Sequence, residues 1–195
     1  MDQQKPPTPE RVPSARREEL LDAAYQYALD HGLADLSLRP LATAIGSSPR
    51  VLLFLFGSKD GLVRELLARA RTDELALLGS AGASGADTFD AAVRTTWGWL
   101  ADPTHRPLLT LWCEAYARSL IEPEGPWAHF ARQTVDDWLA VLARSQSATR
   151  RRSRAGVAER TLALAVLRGA LLDLLATGDV DRTTAAVESH LASRS

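Results

Sequence analysis

The 195 residues contain one cysteine, Cys113. That excludes an internal disulfide framework and any all-cysteine metal site. Histidine is scarce as well. The four, at positions 31, 105, 129 and 190, show no HxxxH or similar ligand spacing, so neither a metal nor another cofactor is expected. Uncharged runs reach only about a dozen residues, well short of the ~20 a membrane-spanning helix needs. The N-terminus is polar and rich in proline, without the apolar stretch of a signal peptide. The expectation is a soluble, cytoplasmic chain with no membrane contact. An excess of charge is also lacking: 23 Lys and Arg against 24 Asp and Glu leave a net charge of −1. Any nucleic-acid binding must therefore come from a local patch.

Such patches exist. From Leu36 to Lys59 the charged residues are Arg39, Arg50 and Lys59, with no acid among them. A second basic island runs from Arg144 to Arg154 and includes three consecutive arginines, 150–152. The run is read as a solvated loop, with contact to DNA or acidic lipid as the alternative.

The apolar pattern is helical almost throughout, and no alternating strand pattern of useful length occurs. Residues 1–13 hold four prolines and read as a disordered arm. Leu20, Leu21, Ala24, Tyr25 and Ala28 then form the stripe of an amphipathic helix, which Gly32 can end in the left-handed conformation. Ser37 can cap a short helix to Ile45. Ser48 can cap another, with Pro49 at its first position, and Ser58 a third that reaches Leu78. Val51 to Phe56 is a continuous apolar run, ambiguous by itself, that its caps turn towards helix. Residues 79–86 read as a flexible linker. Helical segments follow at 87–101, 104–121, 126–146, 155–177 and 180–193. The fold class is all-α with about nine helices. The pattern divides the chain into a small N-terminal unit, 14–60, and a larger C-terminal one, 61–195.

Ser37 to Lys59 carries the helix-turn-helix signature. A small residue, Ala42, stands where two helices cross. Gly46, four residues on, is free to take positive φ. Leu41, Ile45, Leu52 and Leu55 supply the inner faces, while Ser47 stands where an apolar residue is commoner. The helical period turns Pro49, Arg50, Leu53 and Phe54 outward. Arg50 suits a bidentate contact to guanine, and Leu53 and Phe54 suit thymine methyls or sugars. Ser48 and Lys59 sit at helix N-termini, where phosphate is favoured. A helical hairpin inside a core would show the same pattern, and LLFLF is more apolar than most DNA-reading faces.

These residues resemble the TetR family of transcriptional regulators. The match rests on Leu21, Ala23-Ala24, Gly32, Ser37-Leu38, Leu41-Ala42, Gly46, Phe56-Gly57-Ser58-Lys59 and Leu62. The resemblance places Ser37, Arg39, Ser48, Pro49, Arg50, Phe54 and Lys59 at the DNA, with Leu53 beside them. Leu53 stands where the family usually has a phosphate-holding tyrosine, and Leu55 where histidine is common. The resemblance further implies a palindromic double-stranded operator, a homodimer and a small-molecule ligand pocket between the middle helices.

All five tryptophans fall between 97 and 138, in the region of that pocket. Trp97, Leu100, Trp112, Tyr116, Trp127, Phe130 and Trp138 are the expected lining, suited to an apolar or aromatic ligand. Core filling is the alternative for each. A wide apolar arc over 155–177 includes Leu167, Leu171, Leu174 and Leu175, the expected dimer interface; burial within the protomer is the alternative. The overall expectation is a ligand-released repressor. A helical ligand-binding dimer without DNA binding is the second reading. An enzyme is the third, since Cys113 and Glu114 form no recognisable nucleophile motif.

Overall fold

A computed structural model of the chain describes residues 11–82 and 88–193. The expected arm lies outside them except for residues 11–13, which open the first helix. All regular structure among the described residues is helical. The α-helices are α1 (Arg11–His31), α2 (Leu38–Ala44), α3 (Pro49–Phe56), α4 (Lys59–Gly82), α5 (Phe89–Ala101), α6 (Arg106–Ile121), α7 (Phe130–Ala143), α8 (Ala148–Arg152), α9 (Arg154–Thr177) and α10 (Val180–Ala192). Short 3-10 turns, Pro103–His105 and Gly125–Trp127, precede α6 and α7. None of these helices is long and apolar enough to cross a membrane.

The boundaries have local causes. The side chains of Ser48, Thr88, Ser147, Ser153 and Asp179 each accept a hydrogen bond from a first-turn backbone N–H of the helix they precede. Gly32 and Gly178, with φ of 77° and 72°, end α1 and α9 in the left-handed conformation. Three boundaries differ from the sequence reading. α4 runs on through Gly79 to Gly82, and the rest of the expected linker, residues 83–86, lies outside the described residues. The segment expected as one helix over 126–146 is interrupted. Gly125 (φ 82°) and Pro126 set a 3-10 turn, and His129 (φ 67°) breaks the backbone before α7 begins.

The third difference is the basic run. It forms α8, not a loop. Arg150 pairs with Glu159 at 3.1 Å, and the buried Gln146 joins Gly156, Glu159 and Arg160 in one hydrogen-bonded network. These contacts fasten α8 to α9.

α4 ties the molecule together. Its first half packs on α1 and α3, and its second half packs on α5 and α7. The boundary expected at residue 60 thus falls in the first turn of a helix that both units share. α5, α6, α7, α9 and α10 complete the C-terminal bundle.

The start of α4 lies so close to the end of α3 that a Cβ on Gly61 would stand 2.1 Å from the Phe56 carbonyl oxygen. Gly79, later in the same helix, has no such neighbour. Gly61→Ala should lower the free energy of unfolding by ~2 kcal/mol or more, because backbone must move. Gly79→Ala should raise it by ~0.5–1 kcal/mol. Urea unfolding of the two variants at one protein concentration checks both signs.

Candidate functional site

The helix-turn-helix is built as its residues require. Leu41 and Ala42 are buried under the crossing of α2 and α3, and Ser47 N donates back to Ala42 O at 2.8 Å. Gly46 has φ 63° and open space around its missing Cβ, so conformation selects glycine there. Ser48 Oγ accepts from Val51 N at 3.3 Å, and Pro49 opens α3 where no N–H is missed. Leu52 and Phe56 face inward and are buried. The hydroxyl of Ser47 is buried with no hydrogen-bond partner, the consequence of a polar residue at an apolar position.

The outer face holds the residues read from the sequence. Ser37, Arg39, Arg50, Leu53, Phe54 and Lys59 are exposed, Phe54 by 84%, while Ser48 and Pro49 are half-buried. Val51, three residues before Phe54, is also exposed, and the helical period alone would have placed it there. Arg39, Arg50 and Lys59 form no ion pair among the described residues. Arg17, by contrast, donates to Glu65 at 2.6 Å and lies over the Phe56 ring. Its charge is spent inside the head.

α6 reaches this head directly. Glu114 Oε2 accepts from the backbone N–H of Leu33, just after α1, at 2.9 Å. The other oxygen of Glu114 is buried without a partner. Nothing in the sequence signals this bond, which joins positions 81 residues apart.

The expected pocket lining does not converge on one place. Trp112, Tyr116 and Trp138 do meet: Trp112 stacks on Tyr116 at 5.0 Å between ring centroids and approaches Trp138 at 5.7 Å. Trp97 instead bonds Thr184 on α10 at 2.9 Å. Leu100 borders a cleft of about 320 Å³ with Leu174 and Leu175. Trp127 lines another cavity, of about 330 Å³, with Leu33 and Val63. Phe130 lines a separate cavity of about 530 Å³ between α4 and α7, with Leu67, Leu75, Arg64 and Arg71. Helical spacing scatters these rings over different faces, so clustering in sequence does not become clustering in space.

Two charged residues that the sequence reading passed over complete the aromatic group. Arg168 of α9 holds its guanidinium 5.2, 4.9 and 5.4 Å from the Trp112, Tyr116 and Trp138 ring centroids. Its Nη1 donates to the Tyr116 hydroxyl at 3.1 Å. Burial lowers its pKa, and the neighbouring Tyr116 and Glu74 oppose that shift. Glu74 of α4 is 2% exposed and accepts from Trp138 Nε1 at 2.8 Å. Burial pushes its carboxyl up to about 7, against the lowering effects of the Trp138 bond and the Arg168 charge.

The residues expected at a dimer interface differ in exposure. Leu167, Leu171 and Leu174 lie in the protomer's own core, and Leu175 is half-buried. The arc is wide because α9 has two apolar faces. The exposed one carries Ala158, Leu162, Ala165, Gly169, Leu172 and Ala176, at alternating spacings of four and three residues.

Residues 20–66 match the family described as bacterial regulatory proteins, tetR family. The likeness in structure covers nearly the whole chain. A transcriptional regulator from Rhodococcus sp. Rha1 is 20% identical with a TM-score of 0.70, over 90% of this chain and 94% of that one. A TetR transcription regulator from Haloarcula marismortui ATCC 43049 is 18% identical with a TM-score of 0.66, over 90% and 94%. The multidrug binding protein EbrR, solved in complex with imidazole, is 23% identical with a TM-score of 0.67, over 97% and 96%. No curated protein matches the chain. The N-terminal unit is thus a TetR-type helix-turn-helix, and the chain as a whole has the TetR fold.

The buried Glu74 gives a stability test with a defined sign. Its folded pKa lies above the ordinary 4.5, so its contribution is full below that value and is lost as pH rises through about 7. Glu74→Gln keeps an acceptor for Trp138 and removes the proton equilibrium. The variant should gain on the wild type between pH 4.5 and pH 7, by roughly 3 kcal/mol above pH 7 at ~1.4 kcal/mol per unit. Denaturant midpoints of both proteins at pH 5 and pH 8 measure the difference.

Proposed function

We propose that the protein is a cytoplasmic, ligand-responsive transcriptional repressor that binds a palindromic DNA operator as a homodimer and is released by a small molecule. The observation that carries this reading is the outer face of the helix-turn-helix. Arg39, Arg50 and Lys59 are exposed and unpaired there, around a recognition helix whose inner face is fully used in packing. Ser37, Arg39, Ser48 and Lys59 anchor phosphates, with Pro49 starting the recognition helix at the groove. Arg50, Leu53 and Phe54 read bases. Occupation of the C-terminal bundle shifts α6 and, through Glu114 and Leu33, the spacing of the two heads. The likeness to a multidrug binding protein supports a small molecule as the signal. A ligand acts only if it prefers the spacing that does not fit DNA.

The second copy docks on the exposed face of α9. Spacings of four and three residues make a straight seam along a helix, and the alternation of leucine with alanine and glycine lets two such helices approach closely. A two-fold dimer puts two recognition helices about one turn of DNA apart. An enzyme fits the chain poorly. Burial and the charge of Glu74 push the Cys113 thiol up to about 11, which leaves almost no thiolate at neutral pH.

Selection from a random pool of genomic duplexes, followed by sequencing, should enrich a palindrome. Enrichment of no duplex at low salt would favour the reading of a ligand-binding dimer that has lost its DNA, a reading supported by the apolar α3. Arg50→Ala should cost ~1–3 kcal/mol and relax one base pair per half-site. Lys59→Ala should weaken all sequences alike and reduce the salt slope by about one per head. For the dimer, Leu162→Glu with Leu172→Glu should sediment as a folded monomer. Leu167→Glu should instead unfold the protomer, since Leu167 is buried in its core.

A further inference from the structure

The aromatic group around Arg168 is rich in donors and poor in acceptors. Arg168 Nε, Arg168 Nη2 and Trp112 Nε1 are all buried and all without a hydrogen-bond partner. Nη1, the remaining guanidinium nitrogen, is taken by Tyr116. The two unsatisfied guanidinium nitrogens are not an arbitrary pair. Nε–H and the near N–H of Nη2 point the same way along one edge of the planar group, the fork that receives both oxygens of a carboxylate. Three rings surround the guanidinium carbon at 4.9–5.4 Å and none of them offers that edge an acceptor.

No acceptor of the protein fills the fork. Glu74, the nearest carboxyl, gives its Oε1 to Trp138 and forms no ion pair with Arg168. A buried cation with unmade hydrogen bonds is costly, and three surrounding rings offset only part of that cost. The cavity between α4 and α7 is lined by Arg64, Arg71 and His129, with Leu75 and Phe130 as apolar wall, and Arg71 is paired there with Asp137. Arg71 and Leu75 also flank Glu74 along α4.

We propose that the bundle receives an aromatic organic anion, whose acidic group is gripped by the Nε and Nη2 edge of Arg168 while its ring packs among Trp112, Tyr116 and Trp138. The proposal rests on the reading of the bundle as a small-molecule receptor and gives that ligand its chemical class. Neutral analogues leave the fork empty. Cationic ones meet Arg168 with like charge.

Three probes of one shape test the class: 1-naphthoate, 1-naphthamide and 1-naphthylmethylamine, titrated calorimetrically into the full-length protein. Naphthoate should bind at least tenfold more tightly than the amide, and the amine should not bind. Arg168→Gln should bring naphthoate down to the level of the amide and leave the amide unchanged. Trp112→Phe, which keeps a ring and removes one donor, should weaken naphthoate alone, and it serves if Arg168→Gln does not fold. The proposal is overturned if the amide or amine binds as well as naphthoate. It is also overturned if Arg168→Gln retains naphthoate, or if naphthoate fails to bind at about 1 mM, a weak limit of ~4 kcal/mol. Naphthoate binding without any enriched operator would sink the regulator and leave the receptor class standing. An operator released by the amine and not by naphthoate would do the reverse.

Discussion

The two-sided burial of α4 is the constraint on which the rest of the molecule depends. Leu62, Leu66 and Ala70 are packed in its first half, and Glu74 and Leu78 in its second. With 24 residues at ~1.5 Å each, it spans some 36 Å, enough to pass through the head and run along the bundle. A helix of that length held at both ends does not bend locally at small cost. The head therefore has no loose hinge to the bundle at α4. Its other attachment is the bond from Leu33 to Glu114 of α6, so the head is gripped by two helices that also belong to the C-terminal bundle.

Much of the fold was legible because its signals are local. The cap at Ser48, the left-handed glycines 32 and 46, and the 3.6-residue stripe of α1 follow from the conformational limits of a few adjacent residues. The outer face of α3 was legible for the same reason: one buried face, Leu52 and Phe56, dictates where Leu53 and Phe54 must point. The interruption before α7 was harder to foresee. Gly125 and Pro126 are visible in the sequence, but a histidine at positive φ is not signalled by its own preference.

The candidate ligand site was legible only in part, because it is a property of contacts between distant segments. Trp112 and Tyr116 lie four residues apart on one helix and meet as that spacing demands. Arg168 and Glu74 come from α9 and α4, and each looked like one more charged residue among 47. Composition cannot distinguish a buried arginine from an exposed one. The two faces of α9 are hard to tell apart for a related reason: the helix is apolar on two sides, and a periodic pattern does not say which side meets the protomer and which faces outward. In the protomer Leu167 is buried and Leu172 is exposed.

The recognition helix has a bearing on how such a protein finds its site. Electrostatic attraction to the phosphate backbone grows with the number of cations presented, and it is blind to sequence. With Arg39, Arg50 and Lys59 as the unpaired cations around the recognition helix and Phe54 exposed among them, the proposed face would gain little from random DNA and much from a groove that fits Phe54. On the proposed reading, residence on the wrong sequence would be brief and long one-dimensional sliding would contribute little. The search would then proceed by repeated encounters through solution, with discrimination coming from shape at the final contact.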